Sequence, residues 1–207
     1  MPADEPLGER GFLAVAPPSS AADKLFAGDR DDFGFVMNTS HAWAHQPRDH
    51  DALAALWTRA ATRAGLTFRQ RGILVAASAG ALGDPHCSLA WGTRLAGEVD
   101  DETAAAVLRG DDAGLDATDR ALARWARALA RDPNTTQPAD VQALRDAGFD
   151  EAQIAALTLY VALRIAFSTV NDALGARPNR ELVEAAPPAV RDAVGYGRPP
   201  ADGESAP

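Results

Sequence analysis

Capped apolar runs at helical spacing follow one another along most of this chain, and they leave little sequence for strands. One run ends at Gly65 and places five apolar side chains on one helix face: Leu53, Leu56, Trp57, Ala60 and Ala64. Residues three and four apart lie on the same face of a helix, and glycine commonly ends one. The repeated pattern predicts an all-α fold.

Similar start and stop signals bound the helices that follow. They predict helices from Thr67 to Gly83, Asp84 to Gly97, Asp100 to Gly110, Asp116 to Asp132, Pro138 to Gly148 and Asp150 to Gly175. Ser, Thr, Asp and Asn accept a hydrogen bond from the free N–H groups of a first turn, and proline fits there. The last helix is the longest and most apolar, so we expect it to form the core around which the others pack.

Composition limits the setting. The chain has 207 residues, of which 46% are hydrophobic, and it is expected to form one domain over residues 11–194 with flexible ends at 1–10 and 195–207. A net charge of −9 without a basic run argues against nucleic acid and anionic membranes as partners. No apolar stretch was found that approaches the roughly 20 residues of a membrane span, and no signal peptide is visible. We therefore expect a cytoplasmic protein.

The only cysteine lies in the first turn of a predicted helix. Asp84 is a good N-cap, Pro85 fits the first helical position, and Cys87 is the third helical residue. The helix dipole, and His86 if its ring faces the thiol, would lower the thiol pKa, whereas the Asp84 carboxylate would raise it. Alternatively, Cys87 is an inert buried side chain and His86 a solvent-facing one.

Five segments together resemble the AhpD-like superfamily, an all-helical group that includes alkylhydroperoxidase D, carboxymuconolactone decarboxylase and peroxidase-related proteins. They are GFVMN at 34–38, AHQP at 44–47, LT at 66–67, LRDAGF at 144–149 and DALG at 172–175. The resemblance covers residues 11–185 in the family's order of elements. It implies the AhpD-like fold in a single domain and a homo-oligomer.

The resemblance also implies a site, with changes from the family's pattern. The peroxidase branch has a glutamate, then Cys-x-x-Cys, then a histidine; the second thiol attacks peroxide and the first resolves it. Cys87 occupies the attacking position and His86 matches a histidine that some members carry. Asp84 stands at the resolving cysteine, Trp91 at the relay histidine and Gly72 at the glutamate. This chain therefore cannot run the intramolecular dithiol cycle.

Other polar residues carry weaker hypotheses. His41 and His45 have a metal-binding spacing with His50 nearby, but no convergent Asp, Glu or Cys supports a metal site, and we expect neither metal nor cofactor. Arg164 lies inside the most apolar helix, where a charge needs a partner. A structural salt bridge is the leading explanation, and anion binding in the active cleft is the other.

Three functions remain open on these residues. The first is a single-cysteine peroxidase in which Cys87 attacks peroxide, His86 or water protonates the leaving group, and an external thiol completes the cycle. The second is a non-redox enzyme similar to the decarboxylase branch, in which His86 moves protons and Arg164 binds a small acid. The third is a ligand-binding or oligomeric scaffold without catalysis. We expect the first, with Trp91 lining the pocket.

Overall fold

The computed structural model describes residues 6–201, and in that range the chain is built from helices. Eleven α-helices are joined by short turns: α1 (Ser20–Phe33), α2 (Asn38–Trp43), α3 (Pro47–Ala64), α4 (Phe68–Leu82), α5 (Pro85–Ala96), α6 (Asp101–Arg109), α7 (Ala117–Arg131), α8 (Pro138–Asp146), α9 (Glu151–Ala173), α10 (Arg180–Ala185) and α11 (Pro188–Ala193). Short 3₁₀ turns cover Gly8–Arg10 and Pro133–Thr135. No strand longer than an isolated bridge occurs among the described residues, which confirms the all-α prediction.

The helix ends lie where the capping residues predict them. Thr67 and Gln70 form a reciprocal capping box at the start of α4, and Asp150 does the same with Gln153 at α9. Gly83 ends α4 with a left-handed φ of +74°, a conformation that costs residues with a Cβ energy. These local signals therefore fix the junction at which α5 begins.

Helix α4 is the central element of the core. Every residue from Gly72 to Ala79 is buried, and α4 packs against α5, α6, α7 and α9. The expectation that α9 holds this place is wrong, since α9 packs chiefly against α3 and keeps side chains such as Leu159 exposed. The small residues of α4 permit this burial on all sides because neighbouring backbones approach closely.

Helix α9 is long and apolar enough, by length and composition alone, to cross a membrane, so the expectation that no stretch approaches a span does not hold for it. Its Leu157 and Val161 are nevertheless completely or almost completely buried by other helices of the chain. In the apolar stretch as a whole, 44% of the residues are buried within the described chain.

Parts of the two chain ends that the sequence predicts to be flexible, 1–10 and 195–207, are described by the structure and contact the helices. Leu7 is buried, and Tyr196 donates a hydrogen bond of 3.0 Å to Ser88 Oγ. Arg198 Nη1 donates to the Asp172 carbonyl oxygen at 2.8 Å. Residues 1–5 and 202–207 of the expected flexible ends lie outside the described residues.

Candidate active site around Cys87

Cys87 lies in the first turn of α5, where α4 and α5 meet. The Asp84 side chain caps this turn, and its Oδ1 accepts a hydrogen bond of 2.9 Å from the Cys87 backbone N–H. The cysteine is only 2% exposed, and Asp84 is completely buried. The predicted N-cap geometry is therefore confirmed, and it brings a carboxylate to the thiol inside the protein.

Two polar groups of α9 face the sulfur. Ser168 Oγ donates to Cys87 Sγ at 3.6 Å, and Arg164 Nη2 lies 3.9 Å from the same sulfur. Residues 164 and 168 are one turn apart, so they share a helix face. The thiol is thus held between the N-terminus of α5 and the inner face of α9.

Burial raises the pKa of Cys87 well above its ordinary value, and it is the largest influence on the thiol. The negative charge of Asp84 raises this pKa further. Arg164 and Ser168 act in the opposite direction and do not outweigh the first two. Cys87 is therefore a protonated thiol at neutral pH. The sequence left open whether the pKa of this thiol is raised or lowered, and in the structure it is raised.

His86 is buried beside Cys87 and is 4% exposed, which contradicts its interpretation as a solvent-facing residue. Burial is the main reason that its pKa is lowered to about 4, and Arg164 and Arg94 contribute while Asp84 opposes them. Its Nδ1 has no hydrogen-bond partner among the described residues. His86 is therefore a neutral imidazole at pH 7.

Arg164 lies among aromatic rings and is 7% exposed. Its guanidinium carbon is 4.6 Å from the ring centre of Trp57 and 5.3 Å from those of Trp91 and Phe167. No ion pair joins it to a carboxylate in the described part of the chain, and its buried Nε has no acceptor there. The expected salt bridge is therefore not present within the described chain, and cation–π contacts take its place.

The remaining family positions have packing roles. A Cβ at Gly72 would meet Leu95 Cδ1 at 3.3 Å, so the glutamate that the peroxidase branch has at this position would fit here only if Leu95 moved. Trp91, at the relay position, packs against Phe68 and lies over Arg94 as well as Arg164. Trp91 is half-buried and therefore lines the side of the site nearest to solvent.

The three histidines weighed as metal ligands serve different contacts. His41, on α2, lies against Phe26 of α1. His45 lies beyond the end of α2 and contacts the Ala14 carbonyl oxygen. No group of three His, Cys, Asp or Glu side chains with metal-binding geometry occurs in residues 6–201. His50 instead joins the aromatic side chains near Arg164, with its ring centre 6.1 Å from that of Phe167.

Several site residues were not singled out from the sequence. Four residues lie near Arg164: Trp57, Phe167, His50 and Arg94. The sequence pointed to Trp57 as a core residue and assigned none of the four to the site. A signal for Phe167 exists in the spacing 164, 167, 168 on α9, which is one helix face. The contributions of α3 and α5 carry no such signal because they depend on how helices cross.

Solved structures of other proteins have a similar arrangement of helices. An AhpD-core, peroxidase-related protein from Ralstonia eutropha JMP134 is 24% identical, with a TM-score of 0.65 over 79% of this chain and 88% of that one. A peroxidase-related protein from Silicibacter sp. TM1040 is 20% identical, with a TM-score of 0.71 over 87% and 97%. A cysteine-to-alanine variant of the debrominase Bmp8, in complex with 2,3,4-tribromopyrrole, is 15% identical, with a TM-score of 0.67 over 83% and 94%.

These likenesses define the class of protein at the level of the fold. Neither a protein-family model nor a curated protein sequence matches this chain. At 24% identity or less, the structures establish the architecture, and they cover nearly the whole of each neighbour. The chain has the AhpD-like all-helical fold, as the sequence resemblance predicts.

Proposed function

We propose that this protein is a single-cysteine thiol oxidoreductase in which Cys87 reduces a peroxide. The observation that carries the proposal is the position of the thiol between a proton acceptor, Asp84, and a buried cation, Arg164, 3.9 Å from the sulfur. A nucleophilic thiol needs a base to remove its proton and a positive charge to stabilise the thiolate. Both groups lie at Cys87.

The reaction uses these groups in turn. Asp84 takes the thiol proton, and Cys87 Sγ attacks the terminal peroxide oxygen. The O–O bond breaks, the alcohol forms with the proton held by Asp84, and Cys87 becomes a sulfenic acid. One external thiol then gives a mixed disulfide and water, and a second restores the Cys87 thiol as a disulfide of the two reductants leaves.

The other two groups have supporting parts. Arg164 lowers the energy of the transient thiolate because opposite charges at about 4 Å attract strongly in a buried site. His86 offers its unpartnered Nδ1 as an uncharged hydrogen-bonding atom for the reactants, since its pKa of about 4 leaves the imidazole neutral at pH 7. Because the resting thiol is protonated, we expect peroxide oxidation to be slow at pH 6 and to accelerate as the pH rises.

Trapping of the sulfenic acid tests the proposal. Wild type and Cys87→Ser are treated with a small excess of hydroperoxide and a sulfenic-acid trap from pH 6 to 10, and intact mass is followed. Cys87 is the only cysteine, so a thiol-derived adduct reports this residue alone. We expect an adduct in the wild type only, and peroxide consumption when a dithiol is added.

A urea-unfolded sample is the control for thiol integrity. If unfolded wild type forms the adduct and the folded protein forms none across the pH range, Cys87 is an inert core residue and the proposal fails. Turnover of a small-acid substrate that is equal in wild type and Cys87→Ser would instead favour the non-redox enzyme, in which His86 moves protons.

Reductive dehalogenation of a small aromatic ring is a second candidate. The rings of Trp57, Trp91 and Phe167 around Arg164, which itself contacts Cys87, favour it, together with the debrominase of the same fold in complex with 2,3,4-tribromopyrrole. In such a reaction two thiols supply two electrons and two protons, one proton forms the carbon–hydrogen bond that replaces carbon–bromine, and bromide, the second proton and a disulfide are released. Bromide release from tribromopyrrole by wild type with dithiol, but not by Cys87→Ser, would replace peroxide as the substrate.

We further propose that the protein is a homo-oligomer in the cytoplasm. The resemblance to a family of homo-oligomers supports the first part, and the free Cys87 suits a reducing compartment. Light scattering coupled to size exclusion tests the first point: a monomer at micromolar concentration rejects it. Cell fractionation tests the second.

A further inference from the structure

Arg164 is a buried cation that forms no ion pair with a carboxylate in residues 6–201. Its guanidinium contacts three aromatic rings and the Cys87 thiol, which is protonated at neutral pH. Burying an ion without a counter-charge is costly, and aromatic faces offset only part of that cost. Asp84, whose charge acts on the same thiol, forms no ion pair with Arg164 in the described chain, so a bound anion would supply the direct counter-charge that this guanidinium lacks.

A second cation strengthens this field. The guanidinium of Arg94 also lies over the ring of Trp91, with its carbon 5.2 Å from the ring centre. Burial and the charge of Arg164 both lower the pKa of Arg94. No ion pair to a carboxylate is formed by Arg94 within the part of the chain that the structure describes. Two guanidinium groups thus share one tryptophan, although like charges repel.

One edge of the Arg164 guanidinium is buried without a hydrogen-bond partner in the described part of the chain. Its Nη2 faces Cys87 Sγ, whereas Nε has no acceptor. The paired nitrogens of a guanidinium fit the two oxygens of a carboxylate. Trp57, Trp91 and Arg94 are half-buried while Cys87, Arg164 and Phe167 are buried, so the site has a partly exposed rim above a closed floor.

We infer that Arg164, assisted by Arg94, binds the carboxylate of a small aromatic acid whose reactive end then lies at Cys87. Trp57, Trp91 and Phe167 provide flat apolar walls for such a ring. The inference rests on the proposed function for what happens at Cys87, but the binding itself does not depend on any reaction. It names the substrate class as an organic anion.

Benzoate and its neutral isostere benzamide test the binding. Titration calorimetry and tryptophan fluorescence are measured on wild type, Cys87→Ser, Arg164→Met and the control Arg145→Met, whose arginine is exposed and paired with Glu151. We expect benzoate to bind wild type, Cys87→Ser and Arg145→Met, and about ten- to a hundredfold more weakly to Arg164→Met. Benzamide should bind at least about tenfold more weakly than benzoate to wild type.

A second measurement avoids the need for a folded Arg164→Met variant. Benzoate should slow alkylation of Cys87 in the wild type, while benzamide at the same concentration should not. Equal effects of the two probes, or equal benzoate affinity in wild type and Arg164→Met, overturn the inference. Sulfenic-acid formation without benzoate binding rejects the anion site alone, and benzoate binding without sulfenic acid rejects the proposed peroxidase alone.

Discussion

Replacing Asp84 by asparagine changes the charge beside Cys87 with little change in shape. Asparagine caps helices about as well as aspartate, so its side-chain oxygen can still accept from the Cys87 N–H, a bond of 2.9 Å in the wild type. The substitution removes a negative charge that raises the pKa of the thiol. We expect this pKa to fall and the thiolate fraction to rise.

The size of the change follows from the buried position. A like charge within about 4–6 Å shifts a pKa by about 1–3 units, so the thiolate fraction at pH 8 rises about ten- to a thousandfold. Nucleophilicity falls as the thiol becomes more acidic, with a Brønsted slope of about 0.4–0.5. The alkylation rate of Cys87 should therefore increase about 3- to 60-fold in Asp84→Asn.

Peroxide should respond differently from an alkylating agent. Iodoacetamide releases iodide, which needs no proton, whereas peroxide releases an alkoxide that takes the proton held by Asp84 in our mechanism. Asp84→Asn should thus speed alkylation and leave peroxide oxidation unchanged or slower. This divergence separates a carboxylate that moves a proton from one that only repels the thiolate.

The assay follows Cys87 modification by intact mass at pH 8 for both reagents. Asp100→Asn is the matched control, because Asp100 caps α6 by accepting from Thr103 N–H at 2.8 Å. We expect the control to resemble wild type with both reagents. Unchanged alkylation in Asp84→Asn refutes the electrostatic argument, and an equal increase with both reagents refutes the proton role.

Three further predictions concern stability. His86 has a pKa lowered to about 4, so its imidazole binds a proton more weakly in the folded than in the unfolded protein. The free energy of unfolding should therefore fall by up to about 3 kcal/mol as the pH drops from 6.5 to 4, and by less in His86→Gln. Urea unfolding at each pH checks this. Asp172 has a pKa raised to about 7, mainly by burial, so stability should be lost as the pH rises from about 4 to 7. The free energy of unfolding of Asp172→Asn should exceed that of wild type by about 1–2 kcal/mol at pH 8, after allowance for solvent screening, and should not exceed it at pH 4. Equal urea midpoints at pH 8 contradict this. Gly80→Ala should lose about 1–3 kcal/mol because its Cβ would overlap the Leu108 carbonyl oxygen, whereas Gly28→Ala, whose Cβ meets no atom within 4 Å, should gain about 0.5–1 kcal/mol; thermal unfolding of the pair in the same buffer compares them.

Helix boundaries were largely predictable because their causes are local. Thr67, Asp100 and Asp116 each cap the helix that the sequence assigns to them, and Gly65 and Gly110 end helices with positive φ. A capping side chain contacts backbone within three residues, so the sequence contains both partners. The place of α4 at the centre was missed because burial on all sides depends on four neighbouring helices.

The site was predictable only in part. The resemblance pointed to Cys87, Asp84 and His86, and all three are brought together at the start of α5. The burial of His86 and the missing salt bridge of Arg164 were not foreseen, since both depend on packing between distant segments. The solvent exposure of a first-turn residue cannot be known until the elements that cover it are placed.

The sequence by itself determined the helices, their caps and the placement of one cysteine in a first turn, because each depends on neighbours a few residues away. Only the tertiary structure decided the chemistry of that cysteine. Burial against α9 makes Cys87 a protonated thiol and brings Arg164, 77 positions away, to its sulfur. A pKa depends on solvent access and nearby charge in three dimensions, and neither is a local property of the chain.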